Sequence, residues 1–330
     1  MDDIENVLKE RFLLQQEYLG DDKPVNNITP LVSVTVATYQ HVNYIRECLD
    51  GILMQKTNFL YEIILGEDGS VDGTQDVCIE YATNYPDKIR LFIRDRALSQ
   101  YIASDGRVVR FNGIWNRMST RGKYIAWCEG DDYWTDPYKL QKQVDFLEQN
   151  PDYGLICTDV DFYNQSNGKF LYNYFKTKKY PIKYNYKDFL LNLWFIAPCT
   201  WVFRKSLYHL INPNFIVGDL PILLEISSKS KIKYLSETTA VYRVLKESAS
   251  HRKSFNEYKK YYEGVFQIQK YYAEINHNLD CVPLLMQATN MVLLKYSLKY
   301  GNIIYSVYYL YNLFLLKLKN AYLKLKKLRE

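Results

Sequence analysis

Between residues 31 and 93 the sequence alternates short apolar runs with segments of helical periodicity. The segment 31–37 is short and rich in β-branched side chains, which is typical of a strand buried on both faces. Residues 61–66 and 89–93 predict two further strands, and apolar residues recur at helical spacing between the three. A β-α-β-α-β order predicts a parallel sheet, because short crossovers place successive strands side by side.

A fourth apolar run, residues 124–128, stops at three carboxylates within four residues, Glu129, Asp131 and Asp132. Ligands of open α/β sheets bind beyond the carboxyl ends of the strands, where these acids are expected to lie. Converging carboxylates repel each other and lose hydration, so a bound cation would remove an electrostatic cost. The alternative is a solvated acidic turn, in which Gly130 provides the bend.

Two earlier strand ends carry polar side chains that could meet this acidic cluster in one crevice. The first strand ends at Thr38 and Tyr39, and the second ends at Glu67 and Asp68. An aromatic ring beside a carboxylate suits a nucleobase, because the ring can stack on the base and the acid can accept a base N–H. The alternative for residues 68–74 is ordinary turn chemistry followed by a helix cap.

Composition and missing motifs argue against several classes of protein. No Gly-x-x-x-x-Gly-Lys-Ser/Thr loop occurs, and no Gly-x-Gly-x-x-Gly fingerprint follows the first strand, which disfavours kinases and dehydrogenases. A net charge of +5 from 42 basic and 37 acidic residues is mild, so no nucleic-acid partner is expected. The six scattered cysteines form no Cys-x-x-Cys pair and indicate reduced core thiols of a cytoplasmic protein.

The pattern changes along the rest of the chain. Residues 94–110 are predicted to form a polar loop, and residues 112–121 a helix. After residue 150 the segments shorten, and from residue 254 the pattern is helical only. Further strands are predicted at residues 154–158, 200–203 and 238–242. The predicted domains are an N-terminal helical appendage with a linker (residues 1–29) and a sheet domain in two halves (residues 30–150 and 151–253). A helical C-terminal region follows (residues 254–330).

Three motifs in this order and spacing resemble the family 2 glycosyltransferases of the GT-A fold, which transfer a sugar from a nucleotide-sugar to an acceptor hydroxyl. The resemblance runs over residues 32–243 and is most specific at residues 34–39, 67–74 and 122–137. It implies an α/β fold with a Rossmann-like nucleotide-binding half and a mixed central sheet, followed by a helical C-terminal extension. The first half of the sheet domain would bind the nucleotide-sugar, and the second half would bind the acceptor.

The resemblance also implies where the donor binds. By it, Thr38, Tyr39 and Asp68 hold the base and ribose of the donor, which is most often uridine in such enzymes. Arg110, Asn112 and Arg117 precede the acidic strand and could reach the phosphates or the donor sugar. A solvated helix face is the alternative for these residues.

The D-x-D metal motif of the family corresponds to residues 129–131, with Asp132 beside it. Carboxylates favour hard divalent ions, so Mn²⁺ or Mg²⁺ is expected at Asp131 and Asp132, bridging the donor diphosphate. The metal would stabilise charge that develops on the leaving nucleoside diphosphate. The first acid of the motif is Glu129 here, which is assigned to the nucleotide-sugar, and whether Glu129 or Asp132 shares the metal stays open.

Two further site residues are expected in the second half of the chain. An inverting transfer needs a base for the acceptor proton, and one carboxylate suffices. Asp219 follows a glycine and precedes an apolar helix-like run, as the base of the family commonly does; the alternatives are a helix N-cap at Asp219, or a base at Asp159 or Asp161. The family also often carries a metal-contacting or diphosphate-contacting histidine soon after a Val-Tyr-Arg segment. Residues 241–243 match that segment without the histidine, and His251 is the candidate replacement. The alternative is that Arg243 or Lys246 offsets the phosphate charge instead.

The C-terminal segment suggests where the protein acts. Residues 303–316 are apolar and aromatic, and residues 317–329 alternate basic residues with leucines. Such a segment can lie in the headgroup region of an anionic membrane as a peripheral contact; the alternative is a helix packed on the catalytic domain or another subunit. No stretch reaches the roughly 18–20 apolar residues that span a bilayer, and the acidic N-terminus lacks the pattern of a signal peptide.

The sequence therefore predicts a metal-dependent, inverting glycosyltransferase. It would move a hexose from a UDP-sugar to a glycan or lipid-linked acceptor in cell-surface polysaccharide synthesis. A cytoplasmic protein is expected, at the inner face of the cell membrane if the tail docks there, and a homo-oligomer stays open. The alternative is a catalytically silent sugar-nucleotide-binding scaffold of a polysaccharide assembly complex, which Glu129 and the missing histidine keep open.

Overall fold

The computed structural model of the chain describes residues 4–103, 106–179, 185–192, 196–210, 212–246 and 252–327, with side chains to residue 318. The chain divides into two compact units. The first comprises Met1–Asn185, Phe195–Asn214 and Lys229–Lys246, and the second comprises Tyr186–Trp194, Phe215–Ser228 and Glu247–Glu330. The domain boundaries predicted from the sequence stay a prediction.

A nine-stranded mixed sheet forms the centre of the first unit, beside a separate two-stranded hairpin. The strands are β1 (Val32–Thr38), β2 (Tyr61–Glu67), β3 (Ile89–Ile93), β4 (Gln100–Ile102), β5 (Val108–Arg110), β6 (Tyr124–Trp127), β7 (Tyr133–Trp134), β8 (Tyr153–Asn164), β9 (Lys169–Leu171), β10 (Val202–Arg204) and β11 (Lys231–Val244). The sheet order is β3-β2-β1-β6-β10-β8-β11-β7, with β9 paired to β8, and β4 and β5 form the hairpin. The first four strands of this order are parallel, whereas β10 is antiparallel to β6 and β8.

Helices flank the sheet in the first unit and make up the second. Those of the first unit are α1 (Ile4–Phe12), α2 (Ile45–Leu53), α3 (Thr74–Asn84), α4 (Asn112–Met118), α5 (Lys139–Gln149) and α6 (Tyr174–Thr177). Those of the second are α7 (Tyr186–Leu191), α8 (Asp219–Lys229), α9 (Phe255–Ile275), α10 (Val282–Lys299) and α11 (Ile303–Lys327). Short 3₁₀ turns occur at Pro24–Asn27, Pro198–Thr200, Lys205–Leu207 and Leu279–Cys281. The predicted α/β architecture with a mixed sheet and C-terminal helices is confirmed.

Burial on both faces explains why the central strands are mostly apolar, with few polar residues such as Ser33 and Glu62. Every residue of β2 and β6 is buried, as is every residue of β1 except Ala37. Helix α2 instead buries one stripe, Ile45, Cys48, Leu49 and Ile52, at the i, i+3, i+4 and i+7 positions of an amphipathic helix. The parallel core of the sheet therefore forms where residue types alone predict it.

The prediction of a polar loop at residues 94–110 was wrong at residues 100–102 and 108–110, where β4 and β5 pair antiparallel. Their residues are mostly half-buried or exposed, so the hairpin lacks the alternation that would reveal it. Helix α1 packs on α4 through Ile4, Leu8, Phe111 and Trp115. The N-terminal segment is therefore anchored within the first unit.

The second unit has an aromatic core between its long helices. Phe255 of α9, Leu293 of α10 and Tyr309 of α11 form its buried cluster. The rings of Tyr258 and Tyr296 stack with centroids 3.7 Å apart. Within the part of the chain that the structure describes, no helix is both long enough and apolar enough to cross a membrane.

Candidate active site

The carboxyl ends of β1, β2 and β6 meet at one edge of the sheet. Thr38 pairs with Glu67 in the parallel register, and the backbone N–H of Asp68 donates to the Thr38 carbonyl at 3.1 Å. The chain beyond β6 continues along β1, because the Gly130 N–H donates to the Ala37 carbonyl at 3.0 Å. Thr38, Asp68 and the acidic turn, residues 129–132, therefore lie at the same edge.

Gly130 is needed for close packing in this turn. A Cβ atom there would lie 2.7 Å from the Thr38 hydroxyl oxygen and 3.0 Å from Nδ1 of His41. The φ angle of Gly130 is not positive, so a left-handed backbone conformation is not the reason for glycine at this position. The sequence interpretation of Gly130 as a bend residue is therefore replaced by close approach to Thr38.

Asp68 is buried and bound on both carboxylate oxygens. Nη1 of Arg96 donates to Oδ2 at 2.6 Å, and the Ser99 hydroxyl donates to Oδ1. Burial raises the pKa of Asp68, while the Ser99 hydrogen bond and the Arg96 charge oppose the rise. A carboxylate held in this way is a directed hydrogen-bond acceptor at the edge of the sheet.

Arg96 also joins Asp68 to Tyr39. Its guanidinium carbon lies 3.3 Å from the centroid of the Tyr39 ring, so the planar cation stacks on the ring. A flat, polar group is thus already accommodated between the aromatic face and the acid. Sequence reasoning missed Arg96, although it follows the end of β3, the next parallel strand of the same sheet.

Negative charge accumulates in the acidic turn. Burial raises the pKa of Glu129 to about 7; the hydrogen bond from Trp127 Nε1, at 2.6 Å, opposes this rise and the Asp131 charge adds to it. Burial and the charge of Asp131 raise the pKa of Asp132 well above its usual range. The backbone N–H of Arg243 donates to Asp132 Oδ1 at 2.8 Å, which offsets only part of this effect. The turn therefore holds carboxylates whose charge the protein leaves incompletely compensated.

Arg243 fixes the shape of the acidic turn. Its Nε donates to the Asp131 carbonyl at 2.9 Å, Nη1 donates to Gln165 Oε1 at 2.8 Å, and Nη2 forms an ion pair with Glu47. The side chain of Arg243 is 6% exposed. These bonds make Arg243 a support for the turn, a role that sequence reasoning did not assign.

The residues present fit a divalent ion that a donor diphosphate helps to bind. Among the described residues, no group of three or more His, Cys, Asp and Glu side chains could hold an ion by itself. Ions such as Mg²⁺ are commonly bound by one or two carboxylates together with substrate phosphates. Asp131, which is partly exposed, and the buried Asp132 could supply such a pair of oxygen ligands at this edge.

His41 is a second site residue that the sequence reasoning missed. Its Nδ1 lies 3.2 Å from the Thr38 hydroxyl, and its backbone N–H donates to the Thr74 hydroxyl at 2.8 Å. Burial lowers the pKa of His41, and the charges of Asp131 and Asp72 oppose this. The residue comes three positions after the end of β1, whereas the predicted histidine was sought near the C-terminal end of the sheet domain.

Arg110 and Asn112 lie near the donor-side residues in different ways. Arg110 is exposed at the end of β5, and its charge is one of those that lower the pKa of Asp68. The Asn112 amide donates to the Gly66 carbonyl at 3.0 Å and accepts from Arg94. The side chain of Asn112 therefore holds the start of α4 against β2.

The candidates for a catalytic base lie in different surroundings. Asp219 is the first residue of α8, in the second unit, and its Oδ1 accepts from the Leu220 N–H at 2.8 Å. Asp159 accepts from three backbone N–H groups and from the Tyr234 hydroxyl, so its carboxylate is occupied by structural bonds. Asp161 accepts from the Asn173 N–H at 2.7 Å. His251 lies outside the described residues.

This mixed sheet, with an acidic turn at the carboxyl edge of its parallel half, defines a GT-A fold. Solved structures with the same fold include the mannosyltransferase PcManGT from Pyrobaculum calidifontis in complex with GDP-Man and Mn²⁺, with a TM-score of 0.51 at 15% identity, covering 94% of this chain and 87% of that one. Staphylococcus aureus TarS 1–349 in complex with UDP has a TM-score of 0.50 at 13% identity, covering 80% of this chain and 82% of that one.

The sequence model of the glycosyltransferase-like family 2 matches residues 30–193, so this part of the chain is a domain of that family. An uncharacterized protein of Mycobacterium tuberculosis is 32% identical over 216 residues, which are 64% of this chain and 58% of that protein. An uncharacterized glycosyltransferase of Rickettsia felis is 34% identical over 130 residues, 39% of this chain and 19% of that protein. The chain thus spans less than two thirds of these relatives, and the predicted family and fold are confirmed.

Proposed function

We propose that this chain is a metal-dependent, inverting glycosyltransferase that moves a hexose from a UDP-sugar to a hydroxyl of a glycan or lipid-linked acceptor. One observation carries the proposal. An aromatic ring with a buried carboxylate and a turn of incompletely compensated acids lie at the same edge of a parallel sheet. The ring and the buried carboxylate suit a nucleobase, and the acidic turn suits a cation bound to a diphosphate.

In this proposal Tyr39 and Asp68 bind the nucleobase of the donor. The Tyr39 ring stacks on it, and the Asp68 carboxylate accepts a base N–H, for which the uracil ring offers N3–H. Arg96 occupies the face of Tyr39 in the structure, so donor binding moves its guanidinium off the ring. Thr38 packs closely against Gly130 of the acidic turn.

Asp131 and Asp132 would hold Mn²⁺ or Mg²⁺. When bound, the ion supplies positive charge that stabilises the negative charge developing on the leaving diphosphate. Arg243 keeps Asp131 and Asp132 in place through its backbone N–H and guanidinium. Glu129 precedes this pair in the turn, and its Oε1 accepts a hydrogen bond from Trp127 Nε1.

Asp219 is the proposed base. Its carboxylate takes the proton of the acceptor hydroxyl while the acceptor oxygen forms a bond to the anomeric carbon of the donor. The bond from that carbon to the diphosphate oxygen breaks on the opposite face, and the nucleoside diphosphate leaves with the electron pair. Configuration at the anomeric carbon is thereby inverted.

The experiment that tests this function is donor hydrolysis with a panel of UDP-sugars, with and without Mn²⁺. We expect slow metal-dependent release of UDP, and Asp131→Asn should lower it at least about 100-fold because it removes a metal ligand. The matched control is Asp145→Asn, at an exposed acid of α5 whose Oδ1 accepts from the Gln141 amide at 2.8 Å. It should retain activity.

Binding without turnover would contradict the proposal and favour the scaffold alternative. In that case a UDP-sugar raises the melting temperature, as a ligand of the native state does, but no UDP is released with any metal. Equal turnover in Asp131→Asn and the unaltered protein would remove the metal assignment.

We propose that the reaction belongs to cell-surface polysaccharide synthesis, on the cytoplasmic side of the membrane.

A further inference from the structure

Helix α11 exposes an uninterrupted apolar and aromatic stripe, which we call the α11 apolar face. Nine side chains form it, each more than two-fifths exposed: Ile303, Ile304, Val307, Tyr308, Leu310, Tyr311, Phe314, Leu315 and Leu318. At about 100° per residue these positions fall within an arc of roughly 160°. Between residues 303 and 318, no other residue falls within this arc.

The opposite face of α11 is packed, so the orientation of the helix within its unit is fixed. The Ser306 hydroxyl donates to the Ser297 hydroxyl at 2.9 Å, and the Tyr305 ring lies 5.2 Å from that of Phe255. Tyr309 is buried in the core shared with α9 and α10. The α11 apolar face is therefore exposed while the helix is docked through its other side.

Charge decides between the candidate partners of this face. Residues 303–329 contain six basic residues and no acidic one. A second copy of α11 would bring more basic residues and no acid to pair with them. An anionic lipid surface supplies negative charge beside an apolar layer, and a helix with such composition lies in the headgroup region.

We propose that the α11 apolar face docks on the surface of an anionic lipid bilayer, with the helix lying in the plane of the headgroups. Aromatic side chains such as Tyr308, Tyr311 and Phe314 suit this depth, because their rings are apolar or amphipathic. Among the described residues no helix is long and apolar enough to cross a bilayer, and the proposal concerns contact with the bilayer surface. The proposal is independent of the sugar-transfer reaction.

The test is flotation of the full chain with vesicles of phosphatidylglycerol and phosphatidylcholine, compared with vesicles of phosphatidylcholine alone. We expect binding to the anionic vesicles that weakens as salt is added. The double variant Ile304→Gln/Phe314→Gln should bind at least about tenfold more weakly, because two exposed apolar groups no longer enter the lipid. Both side chains are more than half exposed, so folding should be unaffected.

The matched control is Leu60→Gln/Ile102→Gln, which replaces two side chains of comparable exposure in the first unit. It should float like the unaltered protein. The proposal is overturned if the unaltered protein does not float, or if the α11 variant floats equally well. It is also overturned if the chain forms a lipid-independent dimer that the α11 variant dissociates, because the face would then bind a second copy.

Discussion

Replacing Glu129 by glutamine should remove a destabilising charge from the folded chain. Burial raises the pKa of Glu129 from its ordinary value of 4.5 to about 7; the Trp127 hydrogen bond opposes this, and the charge of Asp131 adds to it. A tenfold change in proton affinity corresponds to about 1.4 kcal/mol, so the ionised carboxylate costs the folded state up to about 3 kcal/mol. Glutamine keeps an oxygen that can accept the Trp127 indole N–H.

The direction of the pH dependence follows from the raised pKa. Well below pH 4.5 the carboxyl is protonated in both the folded and unfolded chain, and well above pH 7 it is ionised in both. Between these values the folded chain binds more protons, so stability falls as pH rises, and the full cost is present above pH 7. The gain from Glu129→Gln should therefore be small near pH 5 and reach about 3 kcal/mol near pH 8.

Urea unfolding in metal-free buffer at about pH 5 and about pH 8 measures this gain as the difference in unfolding free energy between Glu129→Gln and the unaltered protein. The control is Glu148→Gln, because the hydrogen bond from Lys123 lowers the pKa of Glu148. A lowered pKa means stability that is present at high pH, so this variant should lose stability at pH 8. Parallel pH profiles for Glu129→Gln and the unaltered protein would refute a buried, incompletely compensated carboxylate at this position.

Two further predictions concern the site. Gly130→Ala should destabilise the fold by about 1–3 kcal/mol in urea unfolding, because the new Cβ overlaps Thr38; an unchanged midpoint would show that the turn can move away. Asp219→Asn should lower sugar transfer by about 10²–10⁴-fold with unchanged donor affinity, measured by kinetics and UDP binding. Loss of donor binding in that variant would instead mark Asp219 as structural.

The central strands could be predicted because burial on both faces leaves a local signature. Residues 61–66 and 89–93 were predicted, and the structure has Tyr61–Glu67 and Ile89–Ile93. In the second half of the sheet, residues 154–158 and 238–242 were predicted where longer strands, β8 and β11, occur. Their outer ends are half-buried or exposed and carry polar residues, so the apolar pattern stops before the strand does.

The short strand β7 shows a different limit. It has two residues, Tyr133 and Trp134, and it exists because they pair with Val241 and Ala240 of β11. No periodicity can appear in two residues, so only the pairing partner reveals the strand. The strands of the β4–β5 hairpin have three residues each and none of these is fully buried, so they also lack a periodic signal.

The sequence by itself determined which strand ends carry the polar groups of the site, because each motif directly follows its own buried strand. Only the tertiary structure decided what those groups touch. Asp68 meets Arg96 across 28 residues of chain, and Asp132 meets the Arg243 backbone across 111. Such contacts depend on which strands, far apart in the sequence, come together in the sheet. Local residue patterns carry no information about that pairing.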